Sequence, residues 1–315
     1  MAVPAEPRRA DAPLVPARAS AGGKLILLGE HAVVHGHPAI AAGIPARVEV
    51  SVTPCAAGED TLRAAAGFAD PRLAAAVAEA RSEVGIPEAI GLEIGIAGDL
   101  PVAIGLGSSA ALSVALVRAL AACCGRALAD EQVAAAAHRL ESLFHGKPSG
   151  VDATAATYGG LFWFEAGPPP RRLPLRAARP LEVVVVLTGS RHDTGRVVGG
   201  LRERAAAAPA VYRPVLAAIG ELVRGARDAI ERGDVALLGE LMTMDHALLR
   251  ACGVSTPVLD AAVHDALAAG ALGAKLTGGG GGGAAIALAR GDARDLARSL
   301  GERGYEAMAA RIPAD

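Results

Sequence analysis

The chain has 315 residues, with 31 Lys and Arg against 33 Asp and Glu and a formal net charge of −2. That length accommodates two ordinary domains, each with its own core. The charge balance excludes a broad attraction to nucleic acid or to an anionic membrane surface, so a phosphate-bearing ligand would be held by a local site.

Residues 1–20 are rich in Pro, Ala and Arg without a continuous apolar run, which predicts a disordered extension rather than a signal peptide. Cys55, Cys123, Cys124 and Cys252 follow no CxxC or zinc spacing and read as small core residues of a reducing compartment. The apolar stretches are short or interrupted, as Arg118 interrupts 110–124, so no membrane span is predicted and a cytoplasmic location is expected.

From Gly23 the chain forms a short apolar strand and leaves it at Gly29, setting Glu30 and His31 just past the strand end, where polar side chains can line a pocket. Residues 39–52 continue as strand, 62–84 read as a charged, Ala-rich helix closed by Gly85-Ile-Pro87, and 92–96 form a further strand.

The centre of the chain is 101–117, a glycine–hydroxyl turn running into an apolar helical segment with Ser108 or Ser109 at its N-terminus. The first turn of a helix offers unpaired N–H groups and partial positive charge, so an anion is held there without a lysine. Gly105 and Gly107 let the backbone close on a phosphate, and a serine hydroxyl can ligate an accompanying Mg²⁺. No lysine follows Gly107, which excludes a Walker A loop, and the missing strand with a terminal acid weakens a dinucleotide fingerprint.

Asp130 is expected to cap a helix over 131–144 that carries Glu141, followed by the turn 145–152 ending in Asp152. Alone, Glu141 reads as a solvated helix residue and Asp152 as a turn former. As a pair they offer what phosphoryl transfer needs, one carboxylate for Mg²⁺ and one near the acceptor hydroxyl.

Strands are predicted over 158–165, 171–175 and 181–187, with a domain boundary near Ala178, a polar loop over 188–195 and helices to about Ala251. Six consecutive glycines, 278–283, then separate Lys275 from an apolar strand and a C-terminal helix. Such a run costs about 0.5–1 kcal/mol per Gly relative to Ala, which close approach to a ligand or to the facing phosphate loop would offset. Only three of the 31 basic residues are lysine, Lys24, Lys147 and Lys275, each in a glycine-flanked stretch.

Gly23-Lys24 with Gly29-Glu30-His31, Gly105-Leu106-Gly107-Ser108-Ser109-Ala110 and Lys275-Leu-Thr-Gly278-Gly279-Gly280 together resemble the galactokinase, homoserine kinase, mevalonate kinase and phosphomevalonate kinase (GHMP) superfamily. Segments 29–36, 145–152 and 245–255 look like its mevalonate kinase branch. The resemblance implies an α+β, two-domain GHMP kinase fold, with a ribosomal-S5-like domain over 21–178 and a ferredoxin-like domain over 179–315. It also implies ATP and Mg²⁺ as cofactors and mevalonate as the small-molecule acceptor, with a homodimer left open.

By position in the motifs, Ser109 and Glu141 match the Mg²⁺ ligands, and 105–110 with 278–280 match the nucleotide loops. Asp152 matches the base and Lys24 the lysine beside it. Glu30 and His31 fall in the acceptor motif, and Thr194 at the substrate-loop position. The all-glycine run and Gly189-Ser-Arg-His192 depart from the family pattern, the second leaving the substrate loop open. A sister kinase acting on phosphomevalonate or a sugar, and a non-catalytic nucleotide-binding regulator, are the competing readings.

Overall fold

The computed structural model describes residues 13–55, 58–65, 67–145, 148–190 and 194–314. In chain order the elements are β1 (Ala17–Leu28), a 3-10 turn (Ala32–His35), β2 (Ala39–Cys55), β3 (Thr61–Ala64), α1 (Leu73–Val84), β4 (Gly91–Gly98), α2 (Ser108–Cys123), α3 (Asp130–His145) and α4 (Val151–Tyr158). There follow β5 (Leu161–Glu165), β6 (Arg171–Pro174), β7 (Leu181–Leu187), α5 (Thr194–Ala207), α6 (Pro209–Arg232), α7 (Val235–Ala251), α8 (Pro257–Ala268), β8 (Gly273–Leu276), β9 (Ala284–Leu288), α9 (Ala293–Glu302) and β10 (Glu306–Ile312).

The chain divides into two compact units that interleave along the sequence. One holds Pro45–Val102, Gly107–Gly159 and the chain before Lys24; the other holds Lys24–Ile44, Ala103–Leu106 and the chain from Gly160 onwards. β1 and β2 each run through both, so the units do not follow a single cut near Ala178.

In the first unit α2 packs against α1, α3 and α4. Twelve of its sixteen residues are buried, which accounts for a segment apolar all round rather than striped. The C-terminal half of β2 pairs antiparallel with β4, from Val48 opposite Gly98 to Cys55 opposite Gly91, and β3 pairs parallel with β4. The helix expected over 62–84 is therefore a strand followed by the shorter α1. Pro71 biases Asp70 away from helical backbone, and a helix can begin only beyond it. At the N-terminus, β1 begins at Ala17 and the Val15 N–H bonds the Cys123 carbonyl at 3.0 Å, so the expected extension does not hold for 17–20.

In the second unit β7, β8, β9 and β10 form an antiparallel sheet of order β10-β7-β9-β8, the strand order of a ferredoxin-like sheet. α8 lies on β8 and β9, α9 lies on β7 and β10, and α7 packs against α6 and β8. Their common core includes Val184, Val186, Leu259, Leu276, Ala285 and Leu300. β10 was not legible: its Ala-rich sequence is poor in strand formers, yet it pairs with the whole of β7. The N-terminal half of β2 pairs with β5, and β5 with β6. All four cysteines are free, Cys55 half-buried and the others buried. Among the described residues, no helix is long and apolar enough to cross a membrane.

Candidate active site

The first unit supplies a helix terminus with the features of an anion site. Gly107 caps α2 in left-handed conformation, φ 75°, and no side chain among the described residues caps the helix or places an acid in its first turn. The first intrahelical bond runs from the Ala111 N–H to the Gly107 carbonyl at 2.9 Å, so the amides of Ser108, Ser109 and Ala110 head the helix. Both serines are half-buried there.

Glu141 lies on α3 and is 1% exposed. Asp152 is not a loop residue: Gly150, φ 86°, starts α4 and sets half-buried Asp152 in its first turn. No group of three or more His, Cys, Asp or Glu that could hold a metal occurs among the described residues. A hydroxyl, Ser109, and a carboxylate, Glu141, are the donor types that suit Mg²⁺ arriving with nucleotide phosphates, because Mg²⁺ keeps its waters and takes few protein ligands.

The second unit supplies a buried polar network. A Cβ on Gly29, φ 101°, would fall 2.6 Å from the Pro38 carbonyl, so the turn after β1 demands glycine. Glu30 and His31 follow, 1% and 6% exposed. Glu30 pairs with the ammonium of Lys275, which is fully buried, donates to the Leu276 carbonyl at 2.7 Å and stands 3.5 Å from Asp245 Oδ2. Burial pushes the Asp245 carboxyl up to about 7; Lys275 opposes the shift and Glu30 reinforces it. Two carboxylates thus surround one ammonium.

The His31 Nε2–H donates to the Gly279 carbonyl at 3.0 Å, which leaves the Nδ1 lone pair buried and without a partner among the described residues. Burial holds this imidazole neutral, its pKa down at about 4. Its backbone, φ 60° and ψ −46°, is strained for a non-glycine residue. Next in the segment, the Thr277 hydroxyl donates to the Ile26 carbonyl and accepts from the Ile26 N–H, both at 3.1 Å. A Cβ on Gly278 would meet the Gly105 carbonyl at 2.9 Å, and one on Gly280 the Val254 carbonyl at 2.2 Å.

Lys24 is 2% exposed, and its backbone N–H donates to Leu106 of the phosphate turn at 2.9 Å. Thr194 opens α5, but its side chain lies outside the described residues, as do Lys147, Arg191 and His192. A cavity of about 730 Å³ is lined by Gly195, Arg204, Val254, Thr256 and Gly281 among others.

Asp245, His246 and Thr277 lie in segments that the sequence singles out, 245–255 and 275–280, but carry no assigned role there, and Lys275 stands out both in that motif and by the rarity of lysine. His246 accepts the Leu276 N–H at Nδ1, 3.3 Å, and faces Asp260 at 3.3 Å through Nε2. Ser255 bonds Asp260 at 2.6 Å rather than the imidazole, so this trio ties α7 and α8 to β8 and is no nucleophilic relay.

Models of the GHMP kinases N terminal domain and the GHMP kinases C terminal match residues 72–160 and 226–306. The mevalonate kinase of Pyrococcus horikoshii is 36% identical over 93% of this chain and 95% of its own. That of Methanothermobacter thermautotrophicus is 36% identical over 93% and 97%. The chain belongs to the GHMP kinase family. Among solved structures, L. major mevalonate kinase in complex with R-mevalonate superposes with a TM-score of 0.86 at 31% identity, covering 99% of each chain.

Proposed function

We propose that this protein is a mevalonate kinase, transferring the γ-phosphoryl group of ATP to the 5-hydroxyl of (R)-mevalonate in the mevalonate route to isoprenoids. The observation that carries the reading is the likeness, over 99% of both chains, to a mevalonate kinase in complex with R-mevalonate.

Bound Mg²⁺-ATP would supply the phosphoryl group and a counter-charge for it. By their places in the family motifs, the amides heading α2 in the first unit would take phosphate oxygens, with Ser109 and Glu141 as the protein's metal ligands, and 105–106 and 278–280 in the second unit correspond to the family's nucleotide loops. By its place in the family motif, Asp152 of the first unit would accept the acceptor's hydroxyl proton, and Lys24 of the second matches the family's lysine that stabilises the developing charge. In the acceptor motif, His31 is neutral, with its Nε2–H engaged and its Nδ1 buried, so it carries no positive charge to attract a phosphate. That favours mevalonate over phosphomevalonate. A cytoplasmic location belongs to the same reading, supported by the four free thiols.

The test is ADP release with Mg²⁺-ATP and, separately, mevalonate, phosphomevalonate, homoserine and galactose, the product being identified by mass. Turnover with mevalonate alone is expected. Turnover with another acceptor alone would replace the substrate, and none with any of the four would sink the kinase reading.

A further inference from the structure

Three ties lace residues 275–279 to residues 26–31: Thr277 to the backbone of Ile26, Lys275 to Glu30, and the Gly279 carbonyl to the His31 imidazole. Two of them fix backbone or a neutral ring. The middle one is ionic, and it lies where an ion is costliest, with Lys275 and Asp245 fully buried and Glu30 1% exposed. Such a pair is a poor route to stability, because desolvation offsets most of its attraction and apolar side chains would serve as well. What it supplies is position. The ammonium has donors for three directions, and they go to Glu30, to the Leu276 carbonyl and towards Asp245. Arginine, which the chain uses nearly everywhere else, is a planar fork too large for that point.

We propose that Lys275 is a positioning residue for the acceptor: by gripping Glu30 it holds the strained turn at His31 so that the imidazole keeps its bond to Gly279 and its Nε2–H tautomer, and the acceptor motif keeps its place. This rests on the phosphoryl-transfer reading. The nucleotide side is seated independently, by the Thr277 bonds to Ile26 and by Gly278 against Gly105. Loss of Lys275 therefore displaces the acceptor and leaves the nucleotide in place. A misplacement of about 1 Å costs roughly 10²-fold in rate.

Lys275→Met leaves two buried carboxyls facing each other, so Lys275→Met/Asp245→Asn, which leaves one carboxyl that can stay protonated, is studied beside it. In the folded double variant, turnover should fall about 10²-fold and the KM for mevalonate rise about tenfold, while the KM for ATP stays within about threefold. The ¹⁵N spectrum of the His31 ring, assigned by its loss in His31→Leu, should show the Nε2–H tautomer in the native protein and a tautomer mixture in the double variant. A folded double variant with native turnover and native KM for mevalonate, or with the His31 tautomer unchanged, overturns the proposal. If the native protein phosphorylates no acceptor, the kinase reading fails, and the histidine spectrum still decides whether Lys275 positions His31.

Discussion

The imidazole of His31 and the carbonyl of Gly279 are joined by a 3.0 Å hydrogen bond across 248 residues of sequence. It fixes the orientation and the tautomer of the ring, while burial, which outweighs the bond's opposite pull, removes its charge. His31→Leu keeps the volume but leaves the Gly279 carbonyl without its donor in a buried site. The expected cost is about 1–3 kcal/mol of stability, read from urea unfolding midpoints. An unchanged midpoint would mean that the bond is dispensable to the fold.

Stability should carry two opposed pH dependences from neighbouring groups. Asp245, facing Lys275 and Glu30, titrates at about 7 when folded against an ordinary 3.8. Between those values the folded chain holds a proton that the unfolded chain has released, so stability falls as pH rises. His31, near Lys275, His35 and Arg204, titrates at about 4 against an ordinary 6.5. Over that range the unfolded chain holds the extra proton, and stability rises with pH. The two slopes oppose each other between about 4 and 6.5. Asp245→Asn removes the falling one, so the variant's unfolding midpoint should climb more steeply with pH than the native protein's. Parallel curves would remove Asp245 from the account.

Asp152 sits in the first turn of α4 behind Gly150, where an acid also favours the helix dipole. Asp152→Asn keeps the shape and removes the proposed base. Turnover should drop roughly 10²-fold or more with the unfolding midpoint little changed, the scale of general-base catalysis. A folded variant with near-native turnover would exclude Asp152 from proton transfer.

The glycine run is not uniform. Gly278, Gly280, Gly281, Gly282 and Gly283 have positive φ, whereas Gly279 does not. Gly278→Ala combines that strain, φ 81°, with a methyl 2.9 Å from the Gly105 carbonyl, and should weaken ATP binding and lower stability by about 1–3 kcal/mol. Gly279→Ala is the substitution the backbone conformation tolerates. Calorimetric titration with Mg²⁺-ATP checks both, and equal effects from the two would refute the distinction.

Much of this was legible in the sequence because the relevant signals are local. The glycine–serine turn before an apolar helix, the valine run of β7 and the turn at Gly29 each state their structure within a few residues. What was hidden depends on distant partners. Nothing local says that Glu30 would be matched by Lys275 and Asp245, or that 61–64 would add to β4 as a strand. Asp152 was misread as a loop residue because Gly150 looks like a turn from the sequence and serves as a helix start. β10 was missed because its pairing with β7 outweighs a composition that argues against a strand.

The interleaving of the two units bears on how the protein is made. Residues 24–44 leave the ribosome early, yet their unit is completed by the chain from Gly160 onwards. Glu30 waits for a lysine 245 positions later. The buried network around Glu30 therefore cannot exist in part on a nascent chain. Synthesis interrupted before Lys275 leaves a fragment that contains α2 but has no partner for Glu30, and the network closes only when translation is nearly complete.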